Sequence, residues 1–180
     1  MFILSTHTVS QVLYTYVLPQ AYMLHFQILI SQISGPELMF GLAVLFAIYL
    51  YTKNYRKDFF IIFLTSTGAM ATSFILKHLL KVPRPEHMLV IEDGYRFPSG
   101  HATMAAVVMS LGIYYAHKHI QSRPLRLMLY VCAVGWYLLI SYSRLYLNVH
   151  YPIDVIAGGA IGIIATIIAL YVVNYFSRQK

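Results

Sequence analysis

Long apolar stretches alternate with short polar connections along this chain. Five stretches approach the roughly 20 apolar residues that a helix needs to cross a bilayer. They run approximately over Pro36–Tyr51, Asp58–Leu80, Ala102–Ala116, Leu125–Tyr142 and Ile153–Phe176. Proline is tolerated in the first turn of a helix, and Pro36, Pro124 and Pro152 lie at three of the predicted starts. The pattern predicts an all-α protein.

A sixth stretch, from about Val9 to Ile33, is less apolar. Its polar positions are Gln11, Gln20, His25, Gln27, Ser31 and Gln32. This composition is consistent with a helix that crosses the bilayer or lies partly in its interface. We therefore predict an integral membrane bundle of about six transmembrane helices, forming one membrane-embedded domain over residues 1–180.

The composition supports a bilayer as the surroundings of the chain. Of its 180 residues, 59% are hydrophobic and 11% are charged, and the mean hydropathy is +0.65. Soluble domains have about 25% charged residues. The net charge of +7 does not indicate nucleic acid, because the basic residues form short clusters between apolar stretches instead of a continuous stripe. We expect a membrane partner and no nucleic-acid partner.

The basic residues also predict a topology. Three clusters fall on one side of a six-helix bundle: Lys53, Arg56 and Lys57; Lys118, Arg123 and Arg126; and Arg178 with Lys180. The positive-inside rule makes that side cytoplasmic. Five other basic residues fall on the opposite side and need a different explanation: Lys77, Lys81, Arg84, Arg96 and Arg144.

Three short polar motifs lie at predicted helix ends on this second side. They contain Lys77 and Arg84, then Pro98-Ser99-Gly100-His101, then Arg144, His150 and Asp154. The guanidinium of an arginine matches two phosphate oxygens at once, whereas lysine acts as a point charge. The three cations of the set, Lys77, Arg84 and Arg144, predict a phosphate-binding site.

Residues Ser99, Gly100 and His101 stand where a loop meets the start of a helix. The first backbone N–H groups of a helix have no intrahelical partner, and the helix dipole favours an anion there. Gly100 allows the backbone to approach a ligand closely. Together with the cations, this helix start can stabilise the charge of a phosphoryl transition state without a metal ion. We expect no metal and no other cofactor.

Two histidines complete the constellation. His150 precedes Asp154 by four residues, so the carboxylate can reach the imidazole and fix one tautomer. The other ring nitrogen is then free to attack phosphorus. His101 is suited to protonate the leaving oxygen as a general acid.

The three motifs resemble the signature of the type 2 phosphatidic acid phosphatase family, which reads Lys-x6-Arg-Pro, Pro-Ser-Gly-His and Ser-Arg-x5-His-x3-Asp. Every position is present between Lys77 and Asp154. The resemblance implies a six-helix membrane bundle with its site near the outer surface. It implies that His150 forms a phosphohistidine supported by Asp154, and that His101 protonates the leaving group. It also implies that phosphate is bound by Lys77, Arg84, Ser99, Gly100, His101 and Arg144.

Each residue taken singly has a simpler explanation. A basic residue at a helix end commonly extends to the headgroups. Ser99 is a common type of N-cap, and Asp154 is a favourable partner for a helix dipole. These explanations do not account for all the groups converging on one face at one depth, so the sequence favours a shared site.

The function predicted from the motifs is that of a metal-independent lipid phosphate or pyrophosphate phosphatase. We expect it in a bacterial inner membrane, with the site facing the periplasm or exterior. The candidate substrates are undecaprenyl pyrophosphate, phosphatidylglycerophosphate and lipid A 1-phosphate, and the loop Glu86–Arg96 is expected to select the headgroup. The sequence makes no prediction about oligomeric state.

Three alternatives remain open. A lipid phosphotransferase would pass the phosphoryl group to a hydroxyl, and a non-catalytic phospholipid-binding protein would bind without turnover. A vanadate-dependent haloperoxidase shares the phosphate site, but the transmembrane content disfavours that class.

Overall fold

The structure, a computed structural model, describes residues 18–179. Within this range the chain forms six α-helices and no strand. The helices are α1 (Leu18–Ile33), α2 (Pro36–Thr52), α3 (Arg56–Leu80), α4 (Gly100–His119), α5 (Arg123–Tyr146) and α6 (Pro152–Ser177). The predicted all-α architecture is confirmed. The part of the predicted first helix that precedes residue 18 lies outside the described residues.

The five helices α2 to α6 all extend beyond their predicted ends, most of all α4 and α5. The reason is that the apolar pattern stops where the polar motifs begin, whereas the backbone remains helical through them. Lys77 lies in the last turn of α3 and Arg144 in the last turn of α5. Asp154 lies in the first turn of α6. The motifs are therefore held on helix termini and on the connections between them.

Three helices, α3, α5 and α6, are each long and apolar enough to cross a bilayer alone. Helices α1 and α2 reach that criterion together, as a pair whose axes differ by 41° across a short break. The described residues thus contain fewer self-sufficient spans than the six predicted. Many large apolar side chains are exposed, such as Leu127 and Ile156 at 63% each, which is typical of a surface that faces lipid. The chain is an integral membrane protein.

Helix α4 occupies the interior of the bundle. Eleven of its residues are buried by the surrounding helices, including Met104, Ala105 and Val107. A helix enclosed by protein does not need a lipid-matched surface, so α4 need not meet the criterion for a lone span that α3, α5 and α6 meet.

Two glycines of α6 bring that helix into direct contact with α4. A Cβ atom at Gly158 would lie 2.5 Å from the carbonyl oxygen of Ser99, and one at Gly162 would lie 2.5 Å from that of Thr103. Only residues without a side chain permit such an approach between helices. The close contact places the starts of α4 and α6 side by side.

Asp58 connects two helices at the opposite end of the bundle. Its Oδ1 atom lies 3.0 Å from Nζ of Lys118 and accepts a hydrogen bond of 3.1 Å from the Tyr115 hydroxyl. The start of α3 therefore lies beside the end of α4, and two of the predicted basic clusters share one end of the molecule. The motif-bearing ends of α3, α4, α5 and α6 lie at the other end.

Candidate active site

The end of α3, the start of α4 and the connection between α5 and α6 surround a cavity of about 490 Å³. The α3–α4 loop and the junction between α1 and α2 close its sides. Five charged or titratable side chains that matter for its chemistry line it: Lys77, Arg84, Glu92, His101 and His150. Four of them were predicted from the sequence, and the structure brings these four to one cavity.

The connection between α5 and α6 holds His150 at the cavity. Asn148 reverses the chain with a φ of 52°, and the N–H of Val149 donates to the Arg144 carbonyl at 3.3 Å. The His150 imidazole is only 3% exposed and borders the cavity from this turn. A short connection between two helices therefore fixes the ring beside the phosphate-binding cations.

The relation between His150 and Asp154 differs in detail from the predicted hydrogen bond. Nδ1 of His150 lies 3.6 Å from Oδ2 of Asp154, slightly beyond hydrogen-bond distance, and it has no partner within the described residues. The same Oδ2 atom accepts a bond of 2.8 Å from the N–H of Tyr151. The carboxylate faces the imidazole, as the spacing predicted, but the backbone also binds it.

Asp154 joins three parts of the site. Its fully buried carboxylate forms an ion pair with Arg96 through Oδ1. Its backbone carbonyl accepts a bond of 3.0 Å from the N–H of Ser99, at the start of α4. Asp154 thus links the loop, α4 and α6 immediately beside His150.

The two predicted arginines meet through an acidic residue. Arg144 is fully buried and donates to the Ser31 hydroxyl and to Oε1 of Glu92. Arg84 lies 3.2 Å from Oε2 of the same carboxylate and donates to the carbonyl of Val149 at 3.3 Å. The carboxylate of Glu92 therefore bridges the two guanidinium groups.

Burial and charge set the protonation states of the residues on the connecting loops. Burial lowers the pKa of His150, and the charges of Arg144, Arg84 and Lys77 lower it further, to about 2. Burial alone would raise the pKa of Glu92, but the charge and hydrogen bond of Arg144 outweigh it and hold that pKa below its usual value. The cavity thus contains a neutral imidazole and an ionised carboxylate among cations.

Lys77 and His101 approach the cavity from α3 and α4. Nζ of Lys77 donates to the Tyr95 carbonyl at 2.6 Å, which aligns the lysine along the loop. Nε2 of His101 lies 3.2 Å from the Ser31 carbonyl. Because a carbonyl can only accept, Nε2 carries a proton in this arrangement.

The start of α4 contributes mainly backbone N–H groups to the cavity. Ser99 is fully buried, and its hydroxyl accepts a bond of 3.4 Å from the N–H of Ala102 as an N-cap. Its own N–H is taken by the Asp154 carbonyl. Gly100 and His101 are the first residues of the helix and line the cavity, so their N–H groups are the ones available to an anion. The structure shows Ser99 capping the helix, and its role as a phosphate ligand stays a prediction.

Sequence reasoning missed three residues of this site. Ser31 contacts both Arg144 and His101 from α1, where nothing in the local sequence distinguishes it. Glu92 was considered only as part of the headgroup-selecting loop, yet it binds the two arginines. Arg96 was identified from the sequence as a basic residue without an explanation. Its position two residues before the Pro98-Ser99-Gly100-His101 motif could have indicated that it belongs to the site.

The sequence of residues 58–178 matches the PAP2 superfamily. This segment is about two thirds of the chain and includes all three motifs. The chain belongs to the PAP2 superfamily. The membership predicted from the three motifs is thereby confirmed, and the matched segment extends through α3, α4, α5 and α6 of this PAP2 protein.

Two curated bacterial proteins resemble this PAP2 protein in sequence. Phosphatidylglycerophosphatase B of Bacillus subtilis is 35% identical over 92 residues, which are 50% of this chain and 45% of the relative. The Haemophilus influenzae protein of the same name is 38% identical over 66 residues, which are 36% of this chain and 27% of the relative. The matches therefore span less than half the length of either relative.

Two solved structures have a similar fold. The transmembrane PAP2-type phosphatidylglycerolphosphate phosphatase of Bacillus subtilis superposes with a TM-score of 0.69 at 23% identity, covering 94% of this chain and 90% of that one. LpxE of Aquifex aeolicus superposes with a TM-score of 0.59 at 25% identity, covering 83% and 86%. The helical fold of this PAP2 protein is thus one that these two solved structures share.

Proposed function

We propose that this chain hydrolyses a phosphate ester or pyrophosphate of a membrane lipid, with His150 as the nucleophile. The observation that carries the proposal is that the His150 imidazole borders the same cavity as Lys77 and Arg84. Arg144 joins this group through Glu92. A neutral imidazole beside three cations is suited to attack a phosphorus atom whose oxygens those cations bind.

The reaction would proceed in two steps. Nε2 of His150 attacks phosphorus while Nδ1 faces Asp154, and the bond from phosphorus to the lipid oxygen breaks. His101, which enters this step as an imidazolium, transfers a proton to that oxygen, and the dephosphorylated lipid leaves. A water molecule then gives a proton to His101 and attacks the phosphohistidine, and the N–P bond breaks to release inorganic phosphate. Lys77, Arg84 and the start of α4 stabilise the charge of both transition states.

The position of the site supports a lipid substrate on the outer face of a bacterial inner membrane. The cavity lies at the ends of membrane helices, so a lipid can present its headgroup while its tails remain in the bilayer. Two of the basic clusters that mark the cytoplasmic side lie at the opposite end of the bundle. We therefore place the site toward the periplasm or exterior.

The curated relatives favour one headgroup among the candidates. Both are named phosphatidylglycerophosphatase B, so phosphatidylglycerophosphate is the first substrate to test. Undecaprenyl pyrophosphate and lipid A 1-phosphate follow. Residues 92–95 of the loop Glu86–Arg96 form part of the cavity wall, which supports the proposed role of the loop in headgroup selection. Exchanging this loop for that of a relative with known preference should change the substrate ranking, and an unchanged ranking would remove that role.

Phosphate release by the purified protein tests the proposal. The substrate panel contains phosphatidylglycerophosphate, undecaprenyl pyrophosphate, phosphatidic acid and lipid A, with EDTA present throughout. We expect the native protein to release phosphate and His150→Ala to release none while unfolding at a similar temperature. His117→Ala is the matched control. His117 lies in the last turn of α4, far from the cavity, and contacts the hydroxyl of Tyr130 in α5. Full activity in His150→Ala, or a strict requirement for added Mg²⁺, contradicts the mechanism.

A phosphotransferase would use the same intermediate. The phosphohistidine would then react with a lipid or sugar hydroxyl instead of water. Release of inorganic phosphate without an added acceptor distinguishes hydrolysis from transfer. Binding of substrate with neither reaction would indicate a non-catalytic phospholipid-binding protein.

A further inference from the structure

We infer that Glu92 is a resident anion of the phosphate site, which a phosphoryl group displaces on binding and which returns to the arginines to expel inorganic phosphate. The inference rests on the proposed function for its substrate. It assigns Glu92 a role in the release of product. Substrate binding would then be an exchange of anions on Arg84 and Arg144.

The geometry of the carboxylate is that of a phosphate substitute. One oxygen of Glu92 binds Arg144 of α5 and the other lies 3.2 Å from Arg84 of the loop. Two terminal oxygens of a phosphoryl group bind a pair of guanidinium groups in the same way. The carboxylate and a bound phosphate would compete for the same donors.

Glu92 does not use every hydrogen-bond donor of the two arginines. Nε of the fully buried Arg144 has no hydrogen-bond partner within the described residues. A buried donor without a partner is costly, and a carboxylate offers only two acceptor oxygens. The phosphoryl end of a monoester offers three oxygens and up to about two negative charges. Phosphate can therefore replace Glu92 even though Glu92 is attached to the protein.

When no phosphate is bound, the buried Arg144 needs another anion as its counter-ion. A guanidinium with no exposure to water is strongly destabilising unless an anion neutralises it. Glu92 provides that anion in the unliganded protein, and its side chain keeps 22% exposure, so a route to solvent is open. The same residue can thus serve the unliganded state and withdraw when phosphate arrives.

The loop around Glu92 is held on both sides of the residue. The N–H of Leu89 donates to the Leu147 carbonyl at 3.0 Å, and the N–H of Arg96 donates to the Val82 carbonyl at 3.0 Å. Between these two bonds, Gly94 has a φ of 74°, which glycine adopts without strain. Arg84 also donates to the carbonyls of Asp93 and Gly94 within this segment. A rotation of the Glu92 side chain is therefore sufficient to free its carboxylate, and the backbone bonds of the loop remain.

Two consequences follow for binding and turnover. A phosphate that must displace Glu92 binds more weakly than it would to empty arginines, by the free energy of the lost carboxylate contacts. The binding of substrate and the binding of product are weakened equally. Turnover therefore becomes faster only where the release of phosphate limits the rate. Removing the carboxylate should therefore tighten phosphate binding and increase product inhibition.

Titration calorimetry with inorganic phosphate on the purified protein in detergent tests this inference without turnover. We expect Glu92→Gln to bind phosphate about tenfold more tightly than the native protein, which corresponds to about 1.4 kcal/mol. The inhibition constant for phosphate and the KM should fall with it, and kcat should not rise. Glu86→Gln is the matched control, because it removes the same charge from an exposed residue of the same loop that does not line the cavity. Its affinity should change by no more than about twofold.

The variant Glu92→Asp distinguishes the effect of the carboxylate contacts from the effect of the negative charge alone. It keeps the negative charge but shortens the side chain, so it should bridge the arginines poorly and bind phosphate with an affinity between those of the native protein and Glu92→Gln. It also serves if Glu92→Gln does not fold. Unchanged or weaker phosphate binding in Glu92→Gln, or native affinity in Glu92→Asp, overturns the inference. If the affinities change as expected but no protein of the set hydrolyses any lipid, the proposed function fails and the anion exchange stands.

Discussion

Arg96 and Asp154 form an ion pair although they are 58 positions apart along the chain. The Asp154 carboxylate is fully buried, and the Arg96 side chain is 18% exposed. The guanidinium also lies 4.7 Å from the centre of the Tyr151 ring. The other oxygen of Asp154 faces His150, so one carboxylate neutralises Arg96 and orients toward the proposed nucleophile.

This pair makes Arg96 a positioning residue. In Arg96→Met, the Asp154 carboxylate loses its ion-pair partner, and we expect kcat to fall roughly tenfold to a hundredfold. KM should change less, because Arg96 does not line the 490 Å³ cavity. Arg96→Lys should restore part of kcat. An equal fall of kcat in both variants would indicate a purely structural role, and thermal unfolding should show a loss on the order of 3 kcal/mol in Arg96→Met.

Arg144 should not tolerate replacement by lysine. Its guanidinium binds Ser31 and Glu92 at the same time, whereas a lysine ammonium is a point charge that cannot present two parallel donors. We expect Arg144→Lys to lower kcat roughly 100- to 1,000-fold, as for removal of a transition-state donor. Steady-state phosphate release measures the change. Arg123→Lys, at the start of α5 and exposed, is the control.

The lowered pKa of His150 predicts a dependence of stability on pH. In the unfolded chain this histidine binds a proton near its ordinary pKa of about 6.5, whereas the folded protein keeps it neutral down to about 2. Unfolding therefore takes up a proton below pH 6.5, and stability falls as the pH falls, by at most about 1.4 kcal/mol per pH unit for this group.

A comparison of variants isolates this effect. His150→Gln should lose less stability than the native protein when the pH is lowered from 7 to 5, as measured by thermal unfolding in detergent. Identical losses in the two proteins would mean that His150 is protonated in the folded state. Below about pH 4.5, protonation of Glu92 should add a further loss in both proteins, because its pKa is also lowered.

The contact between α4 and α6 should be sensitive to a single methyl group. Gly158→Ala places a Cβ atom 2.5 Å from the Ser99 carbonyl oxygen, so the start of α4 must shift. We expect a loss of about 1–3 kcal/mol in stability and a fall in activity. In the control Gly135→Ala, nothing lies within 4 Å of the new Cβ atom. That variant should keep its activity and match or exceed native stability.

Much of the fold could be predicted from local sequence. The apolar stretches identified five helices within a few residues of their ends, and the prolines at 36 and 152 marked two starts as observed. Burial of α4 could not be predicted, because its composition resembles that of a short span. Whether α1 and α2 act as one bent span also depends on their axes and not on their hydropathy.

The candidate site was likewise predicted only in part from the sequence. The motifs predicted which side chains bear charge or a nucleophilic nitrogen, and the structure places four of the predicted side chains at one cavity. The motifs contained no information on the contact of Ser31 with Arg144 or on the pairing of Glu92 with Arg144, because those contacts join residues more than 50 positions apart.

The amino-acid sequence by itself determined the helical class, the membrane setting and the family, because hydrophobic length and motif spacing are local properties of a chain. The tertiary structure alone decided the partners of each charge. Asp154 was predicted to serve His150, yet it also binds Arg96 and the backbone of Tyr151. Such partners are selected by the packing of helix ends in space, where a buried charge binds whichever opposite charge the fold brings within reach.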